Sequence, residues 1–350
     1  MPDKKQNKPD IVDVAKLARV SISTVSRSYN HPELVKPATR KKIERAVQKL
    51  GYIRNRAAQV MHGRRSATIG LVVPTIDNAI FAELIQSFSD KLDERGFTML
   101  IASHGFDLDR EYKMLRKLLE HRVDGLAMIG LEHSDATYQL IDQQDIPSVA
   151  IWNYAEDSRV SCIGVDNTDA GHLAARHLLS LGHRNIGLMF PDPTGNDRAQ
   201  GRLTGAVDEL RANQIEVPDK WRFEAPYSIR EAKRAGIELL GQIDRPTAVL
   251  CGNDIIAQGV LYAAGQLGLR VPQDLSVIGI GDFKGSGEVE PSLTTIRIPA
   301  RRIGAVAGEL IADSVAGLHS GVIARNFELQ VISRKSTAAI SNKTKSSKEI

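Results

Sequence analysis

Short apolar runs alternate with stretches of helical periodicity from residue 67 onwards, and this alternation limits the chain to few folds. Apolar runs of strand length lie at 69–73, 98–102, 125–129, 148–151, 186–190, 248–251 and 275–280. Helical stretches separate them at 79–95, 110–121, 138–143, 197–213, 229–242 and 255–267. Buried strands that alternate with helices predict an α/β fold, in which parallel sheets carry helices on both faces. Two such series of similar length predict two lobes with a ligand cleft between them.

The segment before this series predicts two short helices that meet at a tight turn. Asp10 stands where a helix N-cap belongs, and helical spacing continues over 11–18. Ser21 is the N-cap of a second helix over 22–29, whose main apolar residue is Val25. This second helix is too polar for a core helix. It carries a hydroxyl-rich, cationic surface made by Ile22, Ser23, Thr24, Ser26 and Arg27.

Such a surface at a helix N-terminus suits base edges and phosphates in a DNA major groove. The alternative is an amphipathic helical hairpin inside some other domain. A third helix is predicted over 37–50, ended by Gly51, although Lys36 before it has no capping side chain.

The distribution of charge favours a polyanionic partner for the N-terminal end. Residues 1–65 contain 16 Lys and Arg against 5 Asp and Glu, whereas the remainder contains 30 against 37. A membrane surface is the other polyanion to consider, but these segments lack the aromatic or leucine-rich face of an interfacial helix. The basic segment therefore predicts DNA binding.

Length and composition indicate a soluble, multidomain protein. The chain has 350 residues, of which 42% are hydrophobic and 25% charged, so two or three domains are expected. No apolar run reaches the roughly 18 residues that span a bilayer, and the charged N-terminus is unlike a signal peptide, so we expect a cytoplasmic protein. The two cysteines, Cys162 and Cys251, lie far apart in the sequence and are expected to be reduced core residues.

The pattern D-V-A-x-x-A-x-V-S-x-x-T-V-S-R, from Asp13 to Arg27, resembles the start of LacI-type bacterial repressors. Further matches are Asn30, Gly51-Tyr52-Ile53 with Asn55, Asn253-Asp254, and Pro291 with Leu293-Thr294-Thr295. Within that family, Asn78-x-x-Phe81-Ala82-Glu83 and Gly281-Asp282-Phe283 resemble gluconate-type regulators. The resemblance implies a helix-turn-helix headpiece, a two-lobed periplasmic-binding-protein-like core of parallel sheets, and a homodimer that binds a pseudo-palindromic operator.

The expected organisation follows from these patterns and from the resemblance. Residues 1–9 and 341–350 are expected to be disordered, 10–54 to form the headpiece, 55–65 a hinge, and 66–340 the core. The resemblance implies that the chain crosses between lobes near Gly164, Ser292 and Val322. The first lobe then contains about 66–164 and 293–321, and the second about 165–291 and 323–340.

The hinge segment is too short and too weakly apolar to form a stable helix by itself. The resemblance implies a hinge helix that pairs with its dimer mate and inserts Met61, where leucine is usual, into the minor groove. Arg54 replaces the usual proline. The alternative is a plain basic linker.

The expected DNA contacts combine the second helix with the positions that the resemblance adds. They are Ser21, Ile22, Ser23, Thr24, Ser26, Arg27, Asn30, Tyr52, Asn55, Ala58, Gln59 and Met61. Among them Ile22, Ser23 and Arg27 are predicted to reach base edges.

The expected ligand contacts lie in loops that follow strands. Aromatic faces with amide or hydroxyl neighbours suit a polyol, although each residue alone is compatible with ordinary packing. The residues from this pattern are Asn78, Phe81, Trp152, Asn153 and Tyr227. The resemblance adds Arg202, which matches an effector-binding arginine, together with Asn253 and Asp282, and Lys284 is added because it lies just beyond Ile280-Gly281 in the same loop.

The ligand is expected to be an anion. Ile280-Gly281 stands where most of the family has Tyr-Asp, so an acid that would bind sugar hydroxyls is missing, while Arg202 and Lys284 supply two cations. The resemblance therefore implies a gluconate-like sugar acid. A neutral sugar is the alternative.

The spacing of the candidate motifs argues against the hypothesis that the protein is an enzyme. The loop 279–285 faintly resembles a dinucleotide-binding glycine turn, but its last spacing is one residue too long and Arg301-Arg302 stands where the ribose-binding acid belongs. His172, His177 and His183 are not spaced for a metal site and are expected to have surface or capping roles. No catalytic residue, metal or cofactor is predicted. A periplasmic binding protein would need an export signal and no basic headpiece.

Overall fold

The computed structural model describes residues 8–54, 65–76 and 81–340, and the chain divides into two compact units, Met1–Ser66 and Ala67–Ile350. Each unit is described by itself. Five of the predicted site residues lie outside the described residues: Asn55, Ala58, Gln59, Met61 and Asn78. The same holds for nearly all of the expected hinge, for residues 1–7 of the expected disordered N-terminus and for residues 341–350.

The first unit is a small bundle of three helices: α1 (Ile11–Ala18), α2 (Ile22–Asn30) and α3 (Pro37–Leu50), with a 3-10 turn at Pro32–Leu34. A capping box begins α1, because the Asp10 carboxylate accepts from the Val12 and Asp13 amides at 2.8 and 3.0 Å. The Ser21 hydroxyl accepts from the Thr24 amide at 3.1 Å and so begins α2. These predicted helices and caps are confirmed. The small core consists of Val14, Ala15, Ala18, Val25, Ile43 and Ala46.

The second unit contains two six-stranded sheets, one in each lobe. The first sheet consists of β1 (Thr68–Val73), β2 (Thr98–Ser103), β3 (Gly125–Ile129), β4 (Ser148–Asn153), β5 (Ser161–Val165) and β11 (Ala324–Asn326). The second consists of β6 (Ile186–Phe190), β7 (Arg222–Glu224), β8 (Ala248–Cys251), β9 (Ser276–Gly281), β10 (Thr294–Arg297) and β12 (Gln330–Ile332). Their strand orders are β11-β5-β4-β3-β1-β2 and β12-β10-β9-β8-β6-β7.

All neighbouring strands are parallel except β12, which pairs with β10 in the antiparallel direction. The central strands are apolar and buried along their lengths because helices flank the sheets. The helices of the first lobe are α4 (Ala82–Glu94), α5 (Leu108–Glu120), α6 (Asp135–Gln144) and α11 (Ala300–Ala316). Those of the second lobe are α7 (Asn167–Ser180), α8 (Asp197–Ala212), α9 (Ile229–Leu240) and α10 (Asp254–Gln266). The predicted α/β fold is confirmed.

Two of the predicted crossings between lobes are placed too early. Strand β10 continues the second sheet beside β9, so the chain enters the first lobe after Arg297 and not near Ser292. Strand β11 pairs with β5 of the first sheet, so the return lies between Asn326 and Gln330 and not near Val322. These strands have three or four residues and little apolar pattern, so their pairing leaves almost no trace in the sequence.

Helices α7 and α8 pack with their backbones in direct contact. A methyl group added at Gly205 would collide with the Thr168 carbonyl, and one added at Gly171 would collide with the Arg202 carbonyl. Only glycine allows this approach, which brings the first residues of α7 against the middle of α8.

Gly205→Ala should therefore lower the free energy of unfolding by about 2 to 3 kcal/mol, because the added methyl forces two helices apart. Urea unfolding followed by circular dichroism measures the change. Gly265→Ala is the matched control: Gly265 also lies in a helix, but a methyl there meets nothing within 4 Å. That variant should gain about 0.5 to 1 kcal/mol. Equal effects of the two changes would contradict the described helix contact.

Candidate nucleic-acid interface and ligand cleft

Helix α2 turns Val25 into the headpiece core and leaves its opposite face open to solvent. Val25 is fully buried, whereas Ile22 is 46% exposed and Ser23 and Arg27 are exposed. Ser23 and Arg27 stand four residues apart, so they share one face of the helix. The exposed face therefore presents an apolar side chain, a hydroxyl and a guanidinium together.

The hydroxyls at the start of α2 bond to one another. Ser21 Oγ lies 2.7 Å from Ser23 Oγ and 2.8 Å from Thr24 Oγ1. Thr24 and Ser26 are half-buried beside this face. An exposed helix N-terminus with hydroxyl groups is a suitable binding site for a phosphate.

Asn30 and Tyr52 make contacts within the headpiece and do not extend the exposed face. The Asn30 side-chain amide donates to the Ser26 carbonyl at 2.7 Å, and its oxygen accepts from the Arg54 guanidinium. Arg54 also lies over the Tyr29 ring, 5.1 Å from its centroid. Tyr52 packs against the headpiece core, and burial raises the pKa of its hydroxyl. Arg54 thus joins the end of α2 to the end of the headpiece, a contact that the sequence pattern does not predict.

In the second unit, two aromatic side chains pack where β1 and β4 of the first lobe end. Phe81 and Trp152 are buried and meet edge to face, with ring centroids 5.6 Å apart. The buried Asn153 accepts at Oδ1 from the Asn167 side-chain amide of the second lobe at 3.2 Å. Three of the predicted ligand residues are therefore brought together at the junction of the lobes.

Arg202 lies beneath this junction and is only 1% exposed. Its Nε donates to Asn167 Oδ1 at 2.9 Å and one terminal nitrogen donates to the Gly252 carbonyl at 3.0 Å. Within the described part of the chain, the other terminal nitrogen, Nη2, has no hydrogen-bond partner. Burial lowers the pKa of Arg202 to about 10. A small cavity adjoins this guanidinium and is lined by Phe81, Phe106, Arg198, Arg202 and Tyr227.

A larger cavity of about 420 Å³ shares Phe106 and Tyr227 with the small one. Its walls come from both lobes, with Thr75, Gly105 and Phe106 from the first lobe and Pro191, Asp192, Thr194, Asn196, Glu224, Pro226 and Tyr227 from the second. The Asn196 amide donates to the Tyr227 hydroxyl at 3.0 Å. A cleft of this size, with aromatic walls and a few polar groups, accommodates a small metabolite.

Asp282 and Lys284 stand apart from this cleft. The Asp282 carboxylate accepts from Arg297 at 2.7 Å and from Arg334 at 2.6 Å, and Lys284 is exposed and lines neither cavity. Lys284 does not line the small cavity with Arg202, and the second cation there is Arg198. Their spacing of four residues on α8 was a signal that the sequence offered.

Asn253 and its neighbour have structural contacts. Asn253 is the N-cap of α10 and accepts from the Ile256 amide at 2.9 Å, while its side-chain nitrogen is buried with no partner among the described residues. The buried Asp254 accepts from the Phe283 amide at 2.9 Å and from the Ser286 and Thr295 hydroxyls at 2.6 and 2.5 Å. The loop after β9 is thus fastened to α10.

The remaining candidates have ordinary environments. Cys162 and Cys251 are buried and free. His183 is buried, 3.0 Å from the Thr247 hydroxyl and 2.9 Å from that of Ser276, so its expected surface or capping role is wrong. In the described ranges, no group of three or more His, Cys, Asp or Glu side chains is arranged to hold a metal ion, and no helix is long and apolar enough to cross a membrane.

Comparison with known proteins matches both units to families. Residues 10–55 match the model for bacterial regulatory proteins, lacI family, and residues 175–337 match a periplasmic binding protein-like domain. The chain is 32% identical over 331 residues to the HTH-type transcriptional repressor PurR of Klebsiella pneumoniae subsp. pneumoniae, covering 94% of this chain and 96% of that protein.

Solved structures of transcriptional regulators are also similar to this chain. The lac repressor dimer bound to operator and the anti-inducer ONPF matches with a TM-score of 0.83 and 27% identity, over 95% of this chain and 100% of that one. The transcription regulator GntR from Chromobacterium violaceum matches with a TM-score of 0.73 and 29% identity, over 77% of this chain and 99% of that one. With a matching headpiece, a matching core and a repressor aligned along nearly its whole length, this chain belongs to the LacI family of bacterial regulatory proteins.

Proposed function

We propose that the protein represses transcription by binding a pseudo-palindromic operator as a homodimer, and that a small anionic effector in the cleft controls this binding. The observation that carries the proposal is the exposed face of α2, on a headpiece whose core is formed by three packed helices. Neither an enzyme nor a transport-type binding protein with the same two-lobed core requires such a headpiece for its activity. Such a regulator acts on chromosomal DNA and so in the cytoplasm.

The DNA side of the proposal rests on how α2 is exposed. Arg27 is exposed, and its guanidinium can donate two hydrogen bonds to a guanine edge. Ile22 offers an apolar contact to a thymine methyl group, and Ser23 is exposed on the same face as Arg27, from which it can reach a base edge. Ser21 lies at the helix N-terminus, where a phosphate is favoured. The DNA contacts proposed for Asn55, Ala58, Gln59 and Met61 rest on the family resemblance.

The anionic effector follows from the charges at the small cavity. Arg198 and Arg202 are both buried, and Asp197 is the carboxylate paired with Arg198. The free Nη2 of Arg202 needs an acceptor, since an unpaired buried donor is costly. A carboxylate fits the fork of a guanidinium, and the faces of Phe106 and Tyr227 suit the C–H side of a polyol chain. These features favour a sugar acid of the gluconate type over a neutral sugar.

Arg27→Ala should relax the preference for one base pair in each half-site by about 1 to 3 kcal/mol, because it removes a two-bond contact to a base edge. The measurement is selection of operators from randomised DNA by the full-length protein, followed by fluorescence anisotropy on matched and mismatched sites. Lys42→Ala removes an equal charge from the exposed side of α3 and should leave the preference unchanged. If Arg27→Ala weakens binding equally on every sequence, Arg27 contacts phosphate only.

D-gluconate should raise the melting temperature of the protein, since a ligand of the folded state stabilises it, whereas D-glucose should not. Arg202→Met should abolish this shift because it removes the free guanidinium nitrogen at the cavity. Arg211→Met is the control, since Arg211 lies on the same helix but is 68% exposed at its side chain. Stabilisation by D-glucose and none by D-gluconate would contradict an anionic effector and support a neutral sugar.

A further inference from the structure

The first residues of α8, in the second lobe, contact the loop that follows β3 in the first lobe. Asp197 Oδ2 accepts from the backbone amides of Leu131 at 2.6 Å and Glu132 at 3.1 Å. Arg198 Nη1 donates to the Ile129 carbonyl at 3.4 Å and to Asp197 Oδ1 at 2.8 Å. We call this set of contacts between Asp197, Arg198 and residues 129–132 the lobe clasp.

The first lobe holds its side of the clasp in place. Gly130 has a φ of +94°, and a methyl group there would collide with the Arg198 guanidinium, so this position requires glycine. His133 Nε2 donates to the Gly130 carbonyl at 3.1 Å, and its Nδ1 lies 2.9 Å from the buried Glu111 carboxylate. The Tyr138 hydroxyl donates to the Leu131 carbonyl at 2.7 Å. These contacts hold the loop in the conformation in which the Leu131 and Glu132 amides donate to Asp197.

The clasp also shares a side chain with the ligand cleft. Arg198 lines the small cavity beside Arg202, and it is only 5% exposed. An acidic group of a ligand bound at the junction of the lobes would add a second anion near a guanidinium that already binds Asp197. Ligand binding in the cleft and contact between the lobes therefore both involve the Arg198 guanidinium.

We propose that Asp197 is a positioning residue that holds the two lobes closed, and that the effector acts on lobe closure through Arg198. This deepens the effector-controlled function proposed above and rests on it for the role of the ligand. If the clasp is lost, ligand binding must supply the closure by itself, so affinity falls although Arg198 and Arg202 are both present.

Hydrogen exchange of the full-length protein, followed by mass spectrometry, tests the clasp without ligand or DNA. In Asp197→Ala, peptides that cover 129–133 should exchange about 10-fold faster or more, because their amides lose the carboxylate that protects them. Asp208→Ala is the matched control, since it removes an equal charge from the exposed side of α8, where Asp208 pairs with the exposed Arg211. Unchanged exchange at 129–133 in Asp197→Ala would overturn the proposal.

A second variant approaches the same contact from the other lobe. Gly130→Ala places a methyl group against Arg198 and should produce the same local increase in exchange as Asp197→Ala. Asp197→Asn keeps an oxygen acceptor and should fall between the wild type and Asp197→Ala. If exchange in both Asp197→Ala and Gly130→Ala instead rises evenly through the two sheets, the residues support the fold as a whole and the clasp is refuted.

Calorimetric titration with D-gluconate separates this proposal from the proposed function. Asp197→Ala should weaken D-gluconate binding about 10-fold, while Asp208→Ala should bind as the wild type does. Normal D-gluconate binding by Asp197→Ala would refute the link to the ligand. If the wild-type protein binds no D-gluconate while the exchange result holds, the clasp stands and the proposed effector is wrong.

Discussion

The core depends on the hydrogen bonds that the buried guanidinium of Arg202 makes. It reaches Asn167 at the start of α7 because Gly171 and Gly205 let α7 and α8 touch, and it reaches the Gly252 carbonyl where β8 ends. One side chain thus joins three elements of the second lobe, and Asn167 continues the chain of bonds to Asn153 of the first. The remaining nitrogen, Nη2, has no partner among the described residues, and Arg202 also lines the small cavity, so the residue that organises the lobe has a donor to offer a ligand.

The positions of the core acids leave Arg198 and Arg202 as the charged groups that line the small cavity, whereas Asp192 and Glu224 line the larger one. Asp254 is buried, and its carboxylate oxygens accept hydrogen bonds from the Phe283 amide and the Thr295 hydroxyl. Burial raises the pKa of its carboxyl. Asp282 is bound by two arginines outside the cleft. Asp197 is shared between Arg198 and two backbone amides of the other lobe. None of these three carboxylates accepts a hydrogen bond from Arg202, and this supports the proposal of an anionic ligand.

Local signals in the sequence predicted a large part of this structure. Asp10, Ser21 and Gly51 determine helix ends through their own side chains or backbone conformation, so the headpiece helices were predicted within a residue or two. The central strands were predicted because they are apolar along their whole length. Strands β10 and β11 were not, since their place depends on pairing with distant strands. Likewise Lys284 was chosen by position in a loop, whereas the position of Arg198 beside Arg202 depends on how α8 packs.

The central claim is that one chain couples a ligand cleft to an operator-binding headpiece. Its most direct test is fluorescence anisotropy of the full-length protein on its selected operator, titrated with and without saturating D-gluconate at constant ionic strength. Coupling between two sites in proteins of this kind amounts to about 1 to 3 kcal/mol, so the operator Kd should change by about 5-fold to 150-fold. An operator Kd that stays the same while D-gluconate is bound would contradict the account.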